Sequence, residues 1–136
     1  MCLDIIDGIS VKINEYFGDD YKIYSETVEQ GLSLPCFFIN HEETVRKKLL
    51  GERYLTTYSF LINYFPQNNK EEMIIAAEKL TDCLRLVEMP DGDTIRGKGI
   101  RFNITNGVLQ FYISFTLILT ANEEHDIMDS IDYRII

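Results

Sequence analysis

The sequence is short of the residues from which metal centres and nucleophilic sites are built. It has two histidines, His41 and His125, and three cysteines, Cys2, Cys36 and Cys83. An odd cysteine count at wide spacing, with no Cys-x-x-Cys and no Cys/His ligand pattern, argues against a structural zinc site and against a disulfide framework. The expected state is three reduced thiols, at least two of them packed in the core, because free cysteine behaves as a small buried hydrophobe. No apolar run reaches the length of a membrane span. Asp4 and Asp7 stand where a signal peptide would carry positive charge, so the chain is expected to be made and used in the cytoplasm or in something assembled there. Positive charge is scarce as well. Lys and Arg number 13 against 22 Asp and Glu, for a formal net charge of -9. Such a field repels nucleic-acid phosphates, and gripping DNA would need a local basic patch working against it.

Catalytic motifs are missing too. There is no Gly-x-Ser-x-Gly, and neither histidine falls on a rigid predicted element where it could serve as a base. Asp91-Gly92-Asp93 begins like a calcium loop, but Phe102 occupies the position where the bidentate Glu is needed, so the segment reads as a turn. Gly97 and Gly99 lack the second half of a dinucleotide fingerprint and read as a bulge or a close backbone approach. Glu78, Lys79 and Asp82 form the solvated side of a helix. His41-Glu42-Glu43 and Glu123-Glu124-His125-Asp126 read as solvated acidic segments without a second shell to hold a metal. The expectation is a protein with no catalytic residue, cofactor or metal; a small metal-dependent hydrolase or nuclease is the alternative that a cleft of convergent titratable groups would revive.

What the 136 residues do contain is ample material for one folded domain, with 46% apolar and 26% charged residues. Ile6, Ile9, Ile13, Tyr16 and Phe17 recur at helical spacing and predict a helix over 2–17, stopped at Gly18. A short strand is expected over 21–27. Pro35 opens a second at 36–40, where a missing ladder donor is tolerated. Residues 41–51 read as an exposed loop or a long hairpin arm. A strand over 52–65 alternates Tyr54, Thr56, Tyr58, Phe60, Ile62 and Tyr64 against Leu55, Thr57, Ser59, Leu61 and Asn63. Met73, Ala76, Ala77, Leu80, Leu84 and Val87 predict a second helix over 69–87. A closing hairpin, 94–104 and 108–120, is signalled by Asn106-Gly107, where both turn positions need positive φ. The order α-β-β-β-α-β-β predicts a two-layer α+β domain with an antiparallel or mixed sheet and both helices on one face. The domain is expected over 1–120, followed by an acidic, loosely held tail at 121–136.

Two features point outward. Arg46, Lys47 and Lys48 form a basic cluster that could orient docking onto an acidic partner. The tyrosines of 52–65 are core if covered and a protein interface if not.

Several stretches resemble the tail terminator (tail completion) proteins of phages and prophages of Gram-positive bacteria. They are Val28-Glu29-Gln30-Gly31-Leu32 leading to Pro35-Cys36-Phe37-Phe38-Ile39; Leu50-Gly51-Glu52-Arg53-Tyr54 leading to Tyr58 and Tyr64-Phe65-Pro66; and Gly107-Val108-Leu109-Gln110-Phe111-Tyr112. Ile9-Ser10-Val11-Lys12-Ile13-Asn14 and Phe17-Gly18 also match, so the resemblance runs from residue 1 to about residue 120. It implies a structural component of the virion tail, assembled in the host cytoplasm. Such a protein forms a ring, usually of six copies, on a finished tail tube, stops its growth and provides the surface that joins the head connector. The implied partners are further copies, the tail tube protein and the connector. DNA passes through without specific binding, no membrane is involved, and an acidic bore would not hold the DNA back. Another connector or head-closure role is the neighbouring alternative. Charge and exposure nominate Arg46, Lys47, Lys48 and Arg53 as charged ring or tube contacts with Tyr54 as an anchor. A head-to-tail ring needs two different patches, for which this loop and an edge strand are candidates.

Overall fold

The computed structural model describes residues 1–25, 34–121 and 131–135, with Ala121 and the last five as backbone only. The elements are α1 (Cys2–Phe17), β1 (Lys22–Tyr24), β2 (Cys36–Lys48), β3 (Arg53–Phe65), α2 (Lys70–Cys83), β4 (Leu86–Glu88), β5 (Thr94–Thr105), β6 (Val108–Ala121) and β7 (Ile131–Ile135). The α+β expectation holds. The sheet is mixed, in the order β1-β2-β3-β6-β5-β4, with β1 parallel to β2 and the remaining pairs antiparallel.

The backbone of the sheet is the pair β3–β6, in register from Arg53–Thr120 to Tyr64–Leu109. The period-2 patterns of both strands translate directly into burial. Thr56, Tyr58, Phe60, Ile62 and Tyr64 are buried with Leu109, Phe111, Ile113, Phe115, Leu117 and Leu119, while the alternate residues are half-buried. On that second face the hydroxyls pair across the strands, Thr57 with Thr116 at 3.1 Å and Ser59 with Ser114 at 2.9 Å.

Both helices contribute their apolar stripes to the same core cluster as the buried sheet face. From α1 come Ile5, Ile6, Ile9 and Ile13; Tyr16 is half exposed, and Phe17 packs edge-on to Tyr21 and Phe37 with ring centroids at 5.2 and 4.9 Å. From α2 come Met73, Ala76, Ala77, Leu80 and Cys83. Asn69 caps α2 by accepting the Glu72 N–H at 3.1 Å, and Glu72 in turn accepts the Tyr64 hydroxyl at 2.9 Å and the Gln67 N–H at 2.7 Å. One carboxylate thus ties the helix start to the end of β3.

Helix α2 stops at Cys83, four residues short of the predicted 87, and the chain turns into β4. Leu84 and Val87 are fully buried, so they do belong to the core stripe. They reach it from a turn and a strand, because Val87 pairs with Ile95 of β5 and alternates with exposed Leu86 and Glu88. A three-residue strand leaves too little periodicity to separate it from a helix end. The strand β7 is likewise unanticipated. It pairs with β6 from Leu117–Ile135 to Ala121–Ile131, taking over the edge of β6 where β5, paired to Val108–Phe115, has left it. The first predicted strand is shorter, 22–24, and its last expected positions 26 and 27 lie outside the described residues.

The closing hairpin forms as its turn residues require: Asn106 and Gly107 have φ of 53° and 76°. Gly97 is a close approach. A Cβ there would lie 2.5 Å from Ile113 Cδ1 and 2.6 Å from the Leu84 carbonyl oxygen.

Candidate functional site: a projecting basic arm

Residues 41–51 are neither loop nor coil. They continue β2 to Lys48 and turn into β3, so of the two readings the hairpin arm is realised. Pairing runs out to Lys48–Tyr54, and the Leu49 N–H closes the turn on the Arg53 carbonyl at 2.9 Å. The lower half of β2, Cys36 to Ile39, is buried; every residue from His41 to Lys48 is exposed. Over this stretch β2 is an exposed edge strand, while its partner β3 stays inside the sheet against β6, with Thr56 and Tyr58 buried opposite Arg46 and Thr44. Leu50 at its tip is 85% exposed.

Register decides which nominated residues meet. Lys48 stands opposite Tyr54 and Arg46 opposite Thr56, which places Arg46, Lys48 and Tyr54 on one face of the ribbon. The Arg46 guanidinium lies 5.2 Å from the Tyr54 ring centroid, close enough for a cation–π contact that fixes both side chains. Lys47, opposite Leu55, and Arg53 point to the other face. The five nominated residues share one arm but divide over its two sides. Between positions 46 and 53 the arm holds four cations and one carboxylate, Glu52, on a chain whose net charge is -9. Nearer the base, burial pushes the Tyr58 hydroxyl above its ordinary range, partly offset by the positive Arg46. The Thr56 hydroxyl is fully buried and has no hydrogen-bond partner among the described residues.

His41 is engaged within the arm. Its Nε2 lies 2.6 Å from the Thr44 hydroxyl, and its ring sits edge-on to Phe60 at 5.8 Å. The second histidine and its acidic neighbours, 123–126, lie outside the described residues. Among the described residues no group of three or more His, Cys, Asp or Glu could hold a metal ion. Burial raises the thiol pKa of Cys2 and Cys36, and it pushes Cys83 up to about 12, so these thiols are poor nucleophiles. Cys36 and Cys83 are the two that are fully packed, as expected.

Two clefts accompany the arm. One, about 360 Å³, lies between α1 and the turn after β4, with Asp7, Lys12, Glu15 and Glu88 on its walls. The other, about 350 Å³, is floored by Tyr21 and Tyr64 beside Glu72 and Lys79. In the second, Glu72 already serves as the structural tie described above, and Lys79 lies over the Phe17 ring at 5.2 Å. Neither cleft brings a Ser or Cys nucleophile together with a base among the described residues.

Sequence reading also passed over the two open edges of the sheet. β1 covers β2 only from Cys36 to Phe38, and β4 covers β5 only from Thr94 to Arg96. The described residues leave Ile39–Lys48 on one edge and Lys98–Thr105 on the other without a neighbouring strand. Both edges carry a one-residue bulge, between His41 and Glu43 and between Lys98 and Arg101. The second is the bulge read from Gly97 and Gly99, and Gly99 sits in it with φ of 61°.

A small α+β body with a cationic arm and two open sheet edges is a protein built to be docked. The comparisons specify the kind: a family model for phage tail terminator protein matches residues 4–127, and the chain belongs to that family. It is thus a structural protein of phage tail assembly and a virion component. Comparison with curated proteins finds no match. No helix among the described residues is long and apolar enough to cross a membrane.

Proposed function

We infer that this chain caps the phage tail tube as a ring, usually of six copies, stops tube growth and offers its far face to the head connector. The observation that carries this reading is the family match over 4–127. Within it, residues 1–120 form the ring body. Arg46, Lys47, Lys48 and Arg53 are the charged contacts to an acidic surface of the tube or of the next copy, with Tyr54 as anchor. Charge on a projecting ribbon raises the rate of encounter and sets orientation. The acidic balance of the rest of the chain lets DNA pass without being held. The reading assigns no turnover, metal or cofactor to the protein.

Electron microscopy of particles made without this chain tests the proposal. Overlong tails without attached heads are the expected result. Tails of normal length beside DNA-leaking heads would instead assign the chain to head closure and overturn the capping role.

A further inference from the structure

The tip of the arm combines unpaired charge with an apolar side chain. Among the described residues no ion pair joins Arg46, Lys47, Lys48 or Arg53 to a carboxylate, and Leu50 stands exposed in their midst. Register sends Lys47 and Lys48 to opposite faces of the ribbon, so the tip is cationic on both sides. Such a tip fits a hollow with an apolar lining and acidic walls.

The molecule has that hollow. The cleft of about 360 Å³ between α1 and the turn after β4 is lined by buried Gly8 and Met89 and by exposed Val11 and Pro90, with Asp7 on the helix wall and Glu88 on the strand wall. Its one cation, Lys12, already lies 4.0 Å from Glu15, so Asp7 and Glu88 keep no counter-charge among the described residues. Residues 88–93, which form the strand wall and its turn, carry three carboxylates and no cation. The walls are also set in advance. A Cβ on Gly8 would lie 2.7 Å from the Glu88 carbonyl oxygen, so α1 rests directly on the β4 backbone. The turn is closed by the Met89 N–H on the Asp93 carbonyl at 2.7 Å and the Gly92 N–H on the Met89 carbonyl at 2.8 Å. A preformed cleft loses little freedom when something seats in it.

Arm and cleft stand on different elements. β2 and β3 carry the first, α1 and β4 the second, and β6 and β5 separate β3 from β4 in the strand order. One copy can give its arm and receive another's at the same time, which is the condition for a head-to-tail ring. The geometry points to that contact: the arm tip of one copy seats in the α1–β4 cleft of the next, with Leu50 against Val11 and with Lys47 and Lys48 facing Asp7 and Glu88. This deepens the capping proposal and rests on it, and the occupant of the cleft is a second copy of this chain.

Charge swaps test the contact on the full chain, alone at high concentration and with tail tubes. One variant carries Lys47→Glu and Lys48→Glu, the other Asp7→Lys and Glu88→Lys. Each is expected to weaken self-association by about tenfold or more. An equal mixture is expected to regain it, because every junction between alternating copies then sets opposite charges together. A folding defect in either variant would not be repaired by mixing. Independently of charge, Leu50→Cys mixed with Val11→Cys is expected to give a disulfide-linked dimer that neither variant gives alone. Full association of both swapped variants, absence of that mixed disulfide, or no association of the native chain even with tubes overturns the contact. Loss of tube capture by the arm variant while the cleft variant associates fully would assign the arm to the tube and overturn it as well. Tails of normal length with the swapped variants, against overlong tails when the chain is absent, would sink this contact and leave the capping role standing.

Discussion

The body of the sheet and its arm are made of the same two strands, yet they obey different physics. Below Asn40 and Thr56, β2 and β3 lie against the helices, and each inward side chain is buried. Above them the β2 edge from His41 to Lys48 is exposed throughout, with exposed Val45 and Leu50 and half-buried Leu49, Tyr54 and Leu55 as its apolar anchors. Stability should reside in the first region and recognition in the second, because buried area drives folding while exposed charge governs encounter.

The largest expected contrast comes from Phe111, which is fully buried on β6. Phe111→Ala should cost about 3–5 kcal/mol in denaturant unfolding, whereas the triple change Arg46→Ala, Lys47→Ala and Lys48→Ala should move stability by about 0.5 kcal/mol or less per site while sharply weakening capture by tail tubes. Equal losses of stability from the two would erase the distinction between body and arm. Gly97→Ala comes next. Its Cβ would press on Ile113 and on the Leu84 carbonyl at 2.5 and 2.6 Å, for a loss of about 1–3 kcal/mol, and an unchanged thermal midpoint would show that β4 and β5 are free to separate.

A pH series probes the body alone. The Cys83 thiol is raised by burial to about 12, while the unfolded chain releases that proton near about pH 8.5. Between those values the unfolded state binds fewer protons, so stability is complete below the unfolded pKa and falls as pH rises. The Cys83 share of the slope should be up to about 1.4 kcal/mol per pH unit and should be lost in Cys83→Ala, while the raised Cys36, Tyr58 and Tyr64 keep a residual slope of the same sign, measured by urea unfolding between pH 9 and 11. The smallest effect has the opposite sign. Thr56→Val, at the border of body and arm, removes a buried hydroxyl without a partner among the described residues and should raise stability by about 1 kcal/mol. A loss there would mean that the hydroxyl has found an ordered water.

Legibility in the sequence followed the same border. Where one face is buried, alternation is readable: the inward set of β3 and β6 was identified residue by residue, and the Asn106-Gly107 turn fixed where the hairpin reverses. Where neither face is buried, period carries no information, so 41–51 could be read equally as loop or arm. Leu84 and Val87 show the converse failure. Their spacing matches a helix, but they enter the core from a turn and a short strand that only tertiary pairing with Ile95 defines. The basic residues of the arm could be nominated from charge, yet their division over two faces depends on the Lys48–Tyr54 register. The open edges were invisible for a similar reason, since an edge is defined by the neighbours a strand does not have.

The pairing of β7 with β6 has a consequence for any variant that loses that strand. Leu117 to Ala121 receive their outer neighbour from residues 131–135. A chain without them would leave those five positions of β6 without a neighbour on the side away from β3, an adhesive slot of the sort that recruits foreign strands. Keeping residues 131–135 and staying free of clumping are then one condition, and a variant cut before Ile131 should show itself first as insoluble protein.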